Sequence, residues 1–122
     1  MTREDILACI KANELDLKPS QPRLSIPIII RLCKKMKAGI KFPDIKVENG
    51  VICDGHHRYI ASLIARAGIS RVPSILTSDI IDRKSVDFDD NDWDEPERIA
   101  QLNKVDAHDN NMTLEQVLEI LK

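Results

Sequence analysis

A chain of 122 residues with 43% hydrophobic and 31% charged side chains is long enough for one domain with its own core, and its composition is that of a folded chain rather than a disordered one. Aromatic residues make up only 3%, so Ile, Leu, Val and Ala must build the core, and a binder that stacks single-stranded bases on rows of rings is disfavoured. The formal charge of -2 speaks against a duplex-gripping surface over the whole molecule, yet residues 1–48 carry ten basic and six acidic side chains, and residues 79–97 two basic and nine acidic ones.

Thr2, with Asp5 three residues on, predicts a capped first helix to about residue 12, with Ile6, Leu7 and Ile10 on its apolar stripe. Leu15–Asp16–Leu17 alternates like a brief strand before a loop punctuated by Pro19 and Pro22. Ser25 is placed to cap a second helix, with Pro27 in its first turn, where backbone donors are unpaired anyway. Its buried face is expected to hold Ile28, Ile29, Leu32, Cys33 and Met36, its solvated face Arg31, Lys34, Lys35 and Lys37, and Gly39 its end. Asn49–Gly50 between Ile45–Lys46–Val47 and Val51–Ile52–Cys53 is a strong hairpin signal. A third helix follows, with Tyr59, Ile60, Leu63, Ile64 and Ala67 apolar and Gly68 as its stop. Val72 to Thr77 reads as a strand and residues 79–95 as an acidic, irregular segment. Pro96 starts a short helix, Asp106 to Asn111 reads as a polar loop, and Thr113 with Gln116 opens the last helix, Met112 stapling onto Val117. The expected fold class is α/β (α+β): a small mixed sheet with helices, residues 1–78 forming the core and 79–122 an acidic loop and helices packed on it.

Three cysteines without C-x-x-C spacing, Cys9, Cys33 and Cys53, read as reduced, mostly buried thiols of a cytoplasmic protein. The longest apolar run, Ile26 to Ile30, is far short of the roughly 18 residues that span a membrane, so no membrane role is expected. Neither zinc-ligand spacing occurs, and no zinc or haem is expected. Asp87–Phe88–Asp89–Asp90–Asn91–Asp92 fails as a calcium loop, because Asp92 stands where the glycine is needed and Arg98 where the closing glutamate is needed. It reads as a solvated acidic loop, and the acidic C-terminal part as the place for a protein partner. A polyanion should meet the basic first half.

Chemistry concentrates at Asp54–Gly55–His56–His57–Arg58, where a strand ends, a glycine turns the chain and a helix starts. A helix start offers unpaired N–H groups and partial positive charge, an anion site in waiting. Gly55 lets the backbone approach closely, Arg58 supplies a fork of donors, and His56 and His57 can donate or act as acid and base. Asp54 reads either as the cap of the helix or as a general base or magnesium ligand. Asp54, His56 and His57 are thus candidate catalytic residues, and Asp54 a candidate metal ligand.

Two patches resemble the ParB/sulfiredoxin superfamily. Pro19–Ser20–Gln21–Pro22–Arg23 resembles its early P-x-Q-P-R box, and Asp54–Gly55–His56–His57–Arg58–Tyr59–Ile60–Ala61 its strand-to-helix box. Gly68–Ile69 and Val72–Pro73–Ser74–Ile75 resemble its continuation, so that the likeness spans roughly residues 15–78. The resemblance implies a small α/β fold that binds nucleotide phosphates (ATP, ADP or CTP, with Mg2+) through Gly55, His56, His57, Arg58, Gln21 and Arg23. Members include CTP-dependent partition proteins that clamp DNA, ATP-dependent sulfiredoxins, free-serine kinases and nucleases. His56 stands where sulfiredoxins carry their catalytic cysteine, and no helix-turn-helix domain follows as in partition proteins. The D-G-x-H-R form is closest to the kinase-like and nuclease-like members, for which Glu14 is the candidate for the kinases' earlier glutamate. The function expected is phosphoryl chemistry, either phosphodiester hydrolysis or transfer from a nucleotide. The alternative is a nucleotide-binding switch or partition-like module acting through a protein partner.

Overall fold

The Thr2 hydroxyl accepts the Asp5 N–H at 3.3 Å while the Asp5 carboxylate accepts the Thr2 N–H at 2.8 Å, so both ends of the capping box are closed and α1 runs Arg3–Ala12. The computed structural model describes residues 2–13, 15–75, 80–82 and 85–122. Ile6 anchors α1 to the core. The expected strand at 15–17 reduces to one parallel bridge, Lys18 to Val51, with the Ile52 N–H donating to the Lys18 carbonyl at 2.9 Å. Glu14 lies outside the described residues.

β1 (Arg23–Ser25) leads directly into α2 (Ile26–Lys37), which starts at Ser25 and ends before Gly39 at φ +93°. Ser25 caps with its backbone only, because its hydroxyl donates instead to the Asn91 carbonyl at 2.9 Å. Ile26, Ile29, Cys33 and Met36 are buried, and Ile28 and Leu32 half-buried. Lys35 corrects the sequence reading: it is 3% exposed, its ammonium 2.6 Å from the Asp106 carboxylate. Helical spacing assigns it to the outer face, but a later helix packs there and supplies the counter-charge.

β2 (Ile45–Glu48) and β3 (Val51–Asp54) form the predicted antiparallel hairpin, with Asn49 at φ +48° and Gly50 at φ +76°, the pair of left-handed residues that a tight two-residue turn requires. β4 (Arg71–Pro73) lies parallel to β2, giving the order β3-β2-β4. α3 (His56–Ala65) ends at Arg66 in the left-handed region at φ +54°, so Arg66, not Gly68, stops it. β4 stops at Pro73, so Ser74 and Ile75 do not extend it as expected, while Leu76, Thr77 and the expected boundary at residue 78 lie outside the described residues.

The segment read as irregular contains β5 (Asp87–Asp89), parallel to β1 with Leu24 opposite Phe88. Burial of Phe88 at the edge of the core holds this strand despite its acidic neighbours. α4 (Pro96–Asp109) runs through most of the expected polar loop at 106–111, because Asp106 and Ala107 face inward. α5 (Leu114–Leu121) has the predicted Thr113–Gln116 capping box and packs on α2. Met112 joins Ile40, Ala107 and Val117 in a small second cluster. Among the described residues, five helices, a three-stranded sheet and a two-stranded sheet make one small mixed α+β domain. No described helix is long and apolar enough to cross a membrane. All three cysteines are free, and only Cys33 is buried, Cys9 and Cys53 being half-buried.

Candidate phosphate site

β3 delivers the chain to Gly55, whose φ of +98° turns it into α3. A Cβ built here would lie 2.6 Å from Ile45 Cγ2 and 2.9 Å from the Arg58 guanidinium, so both the backbone angle and the space require glycine. Gly55 is also the residue at which α3 starts, and no side chain caps the helix. Asp54 is therefore not the cap. It ends β3 with its carboxylate largely exposed, 3.9 Å from the Arg58 guanidinium.

The residues of the first turn of α3 line a cleft of about 410 Å³ between α2, α3 and α4. Gln21, Asp54, Gly55, His56, His57 and Arg58 all line it, so most of the predicted site residues come together. Arg23 does not join them: its guanidinium reaches Asp89 of β5 at 3.0 Å and does not line the cleft. Gln21 spends one amide N–H on the Arg23 carbonyl at 2.8 Å, which braces the loop.

The two imidazoles tie the motifs to each other. Ser20 N–H donates to His56 Nε2 at 3.1 Å, and Ser25 N–H donates to His57 Nε2 at 2.9 Å. A ring nitrogen that accepts carries no proton, so each neutral ring bears its hydrogen on Nδ1. The Ser20 hydroxyl in turn donates to the Ile52 carbonyl at 2.5 Å. Adjacent histidines thus pin both ends of the Pro19–Ser25 loop against the start of α3. His57 also meets the edge of Trp93, ring centroids 5.3 Å apart. Burial, followed by the neighbouring His56 and the charge of Arg58, lowers the His57 pKa to about 4, with Asp94 opposing the shift, so the ring is neutral at physiological pH.

Of the cationic side chains on the cleft, Arg58 lies nearest the start of α3. One terminal nitrogen reaches the Asp44 carbonyl at 3.3 Å, while its buried Nε has no acceptor among the described residues. On the opposite wall Asn103 is 3% exposed and its Oδ1 has no donor among them. A buried polar atom without a partner costs about 1–3 kcal/mol, so two of them on one cleft point to something that completes it.

Sequence reasoning missed Arg31, Asp94 and Asn103 as members of this cleft. For Asn103 a signal existed: it lies four residues after Ile99 on one helical face, a polar residue where the apolar stripe should continue. Among the described residues no three His, Cys, Asp or Glu side chains gather as a metal site. An ion such as Mg2+ takes one or two carboxylates and completes its shell with water and phosphate oxygens, and Asp54 is the exposed carboxylate beside the start of α3. Compared with known protein families, curated proteins and solved structures, the chain has no match.

Proposed function

We propose that this chain binds a phosphate of a nucleotide or nucleic acid at the start of α3 and carries out phosphoryl chemistry on it, as the ParB/sulfiredoxin likeness of its motifs suggests. The observation that carries the reading is the uncapped start of α3, set behind a left-handed glycine, beside an Arg58 Nε that lacks an acceptor among the described residues. An anion oxygen there would accept from the helix amides and from Arg58, and charge developing on a transferring phosphoryl group would be held by the same donors. Asp54 is the group open to the cleft for orienting a nucleophile or a hydrated Mg2+ that neutralises phosphate charge. His56 and His57 act in this reading as positioning residues, since their Nε2 atoms hold the loop.

The test is binding and turnover of labelled ATP, ADP, CTP and a DNA oligonucleotide with Mg2+. Arg58→Ala should weaken binding by about ten- to a hundredfold, the range for a hydrogen bond to a charged group. Asp54→Asn should keep binding and lose turnover; turnover unchanged in that variant removes Asp54 from the chemistry. A second reading, a non-catalytic nucleotide switch, is favoured by one observation, that both imidazoles are committed to backbone amides. Binding by the wild type with no turnover selects it.

A further inference from the structure

The segment that follows β5 lies directly on the cationic side of this cleft. Arg31 of α2 is held by Asp92, at 3.0 Å to one of its carboxylate oxygens, and by Asp94 at 3.1 Å. Asp89 takes Arg23 at 3.0 Å, and Asn91 receives the Ser25 hydroxyl. Trp93 covers the His57 ring, its indole N–H tied back to Asp89 at 3.0 Å. Carboxylates from one chain segment thus satisfy Arg23, whose motif the phosphate reading assigns to an anion, and Arg31 on the cleft wall. On the same cleft, the buried Arg58 Nε has no acceptor among the described residues.

We propose that residues 90–94, leaving the sheet where β5 ends at Asp89, are an acidic arm that competes in cis with the phosphate ligand, closing the cleft when empty and leaving it when the ligand binds. The proposal rests on the phosphate reading of the site and adds its regulation. The arm is held by charge more than by apolar burial: Arg31 pairs with both Asp92 and Asp94, and Trp93 stays 41% exposed, so a ligand anion that takes over Arg31 removes the main contact that holds it. Charge alone gives the direction: a phosphate and the Asp92–Asp94 carboxylates repel, so one leaves as the other arrives.

Trp93 is the chain's only tryptophan, so its emission reports the arm directly. Titrating the full chain with ATP and Mg2+ should shift Trp93 emission and raise its quenching by acrylamide. The double variant Asp92→Asn, Asp94→Asn should bind ATP about three- to tenfold more tightly, the effect of removing one or two weak competing pairs. Equal or weaker ATP binding by a folded double variant, or binding by the wild type with Trp93 unchanged, overturns the arm and leaves the phosphate site standing. The titration is repeated with ADP, CTP and a DNA oligonucleotide, and binding of none of the four by wild type or variant overturns both. Should the double variant fail to fold, Trp93 quenching in the wild type decides by itself.

Discussion

His57 shows how one residue carries several duties at this site. Its ring accepts the Ser25 N–H, packs on Trp93 and is held neutral, with a pKa of about 4 against an ordinary 6.5. A basic group whose folded pKa is depressed binds fewer protons in the native state than in the unfolded one between those two values. Stability therefore rises with pH across that window, is complete above 6.5, and is lost as pH falls toward 4. The size is on the order of 3 kcal/mol at most, since each tenfold loss of proton affinity on folding is worth about 1.4 kcal/mol. Denaturant melts between pH 4 and 7 should show this slope, and His57→Gln, which keeps an acceptor but cannot titrate, should flatten it. A slope unchanged in that variant assigns the effect to another group. The strand-to-helix turn at Asp54–Arg58 was legible because a glycine between a strand and a helical stripe marks a sharp change of backbone direction. The inward use of both imidazoles was not legible, since their partners are backbone amides of a loop more than thirty residues away.

At the scale of elements, local signals performed best where they act locally. Both capping boxes and the Asn49–Gly50 turn form as their residues dictate, because cap and turn chemistry lies within four residues. Failures fall where distant contacts decide. Lys35 is drawn inward by Asp106, seventy-one positions later, and the same contact extends α4 through residues that look like a loop. β5 forms because Phe88 docks against the core beside β1. The Lys35–Asp106 pair joins α2 to α4 and gives a sharp prediction. Asp106→Ala leaves a buried ammonium without its partner and should cost about 3–5 kcal/mol, whereas Lys35→Met with Asp106→Leu should fall near the wild type. Urea unfolding of the three proteins checks this, and equal losses for single and double changes would show that packing, not charge, governs the contact.

For the molecule as a whole, the two unlike halves of the charge pattern answer each other. Basic side chains of the first half pair with acidic ones of the second: Arg23 with Asp89, Arg31 with Asp92 and Asp94, Lys35 with Asp106. The asymmetry was plain in the sequence, and its meaning there, a surface open to a polyanion, is modified by finding much of it already met from within. The main apolar cluster, by contrast, is made mostly by α1, α2, α3 and the hairpin, with Leu17, Leu24 and Phe88 at its margin. Hydrogen exchange should accordingly grade the molecule: amides of α2, α3 and the hairpin should exchange last and those of residues 90–94 well before them, as measured by mass spectrometry on the intact chain. Equal protection throughout would mean that the acidic segment opens only with the rest.

The parallel pairing of β1 with β5 bears on the order in which a ribosome could finish this protein. Arg23 meets Asp87, so that ladder waits for a late stretch of polypeptide, whereas the hairpin and the α2–α3 contact need nothing beyond residue 65. A nascent chain should therefore form the turn into α3 and its contact with α2 before the acidic side chains of residues 87–94 emerge from the exit tunnel. During that interval cellular polyphosphates and RNA would meet the basic face uncovered.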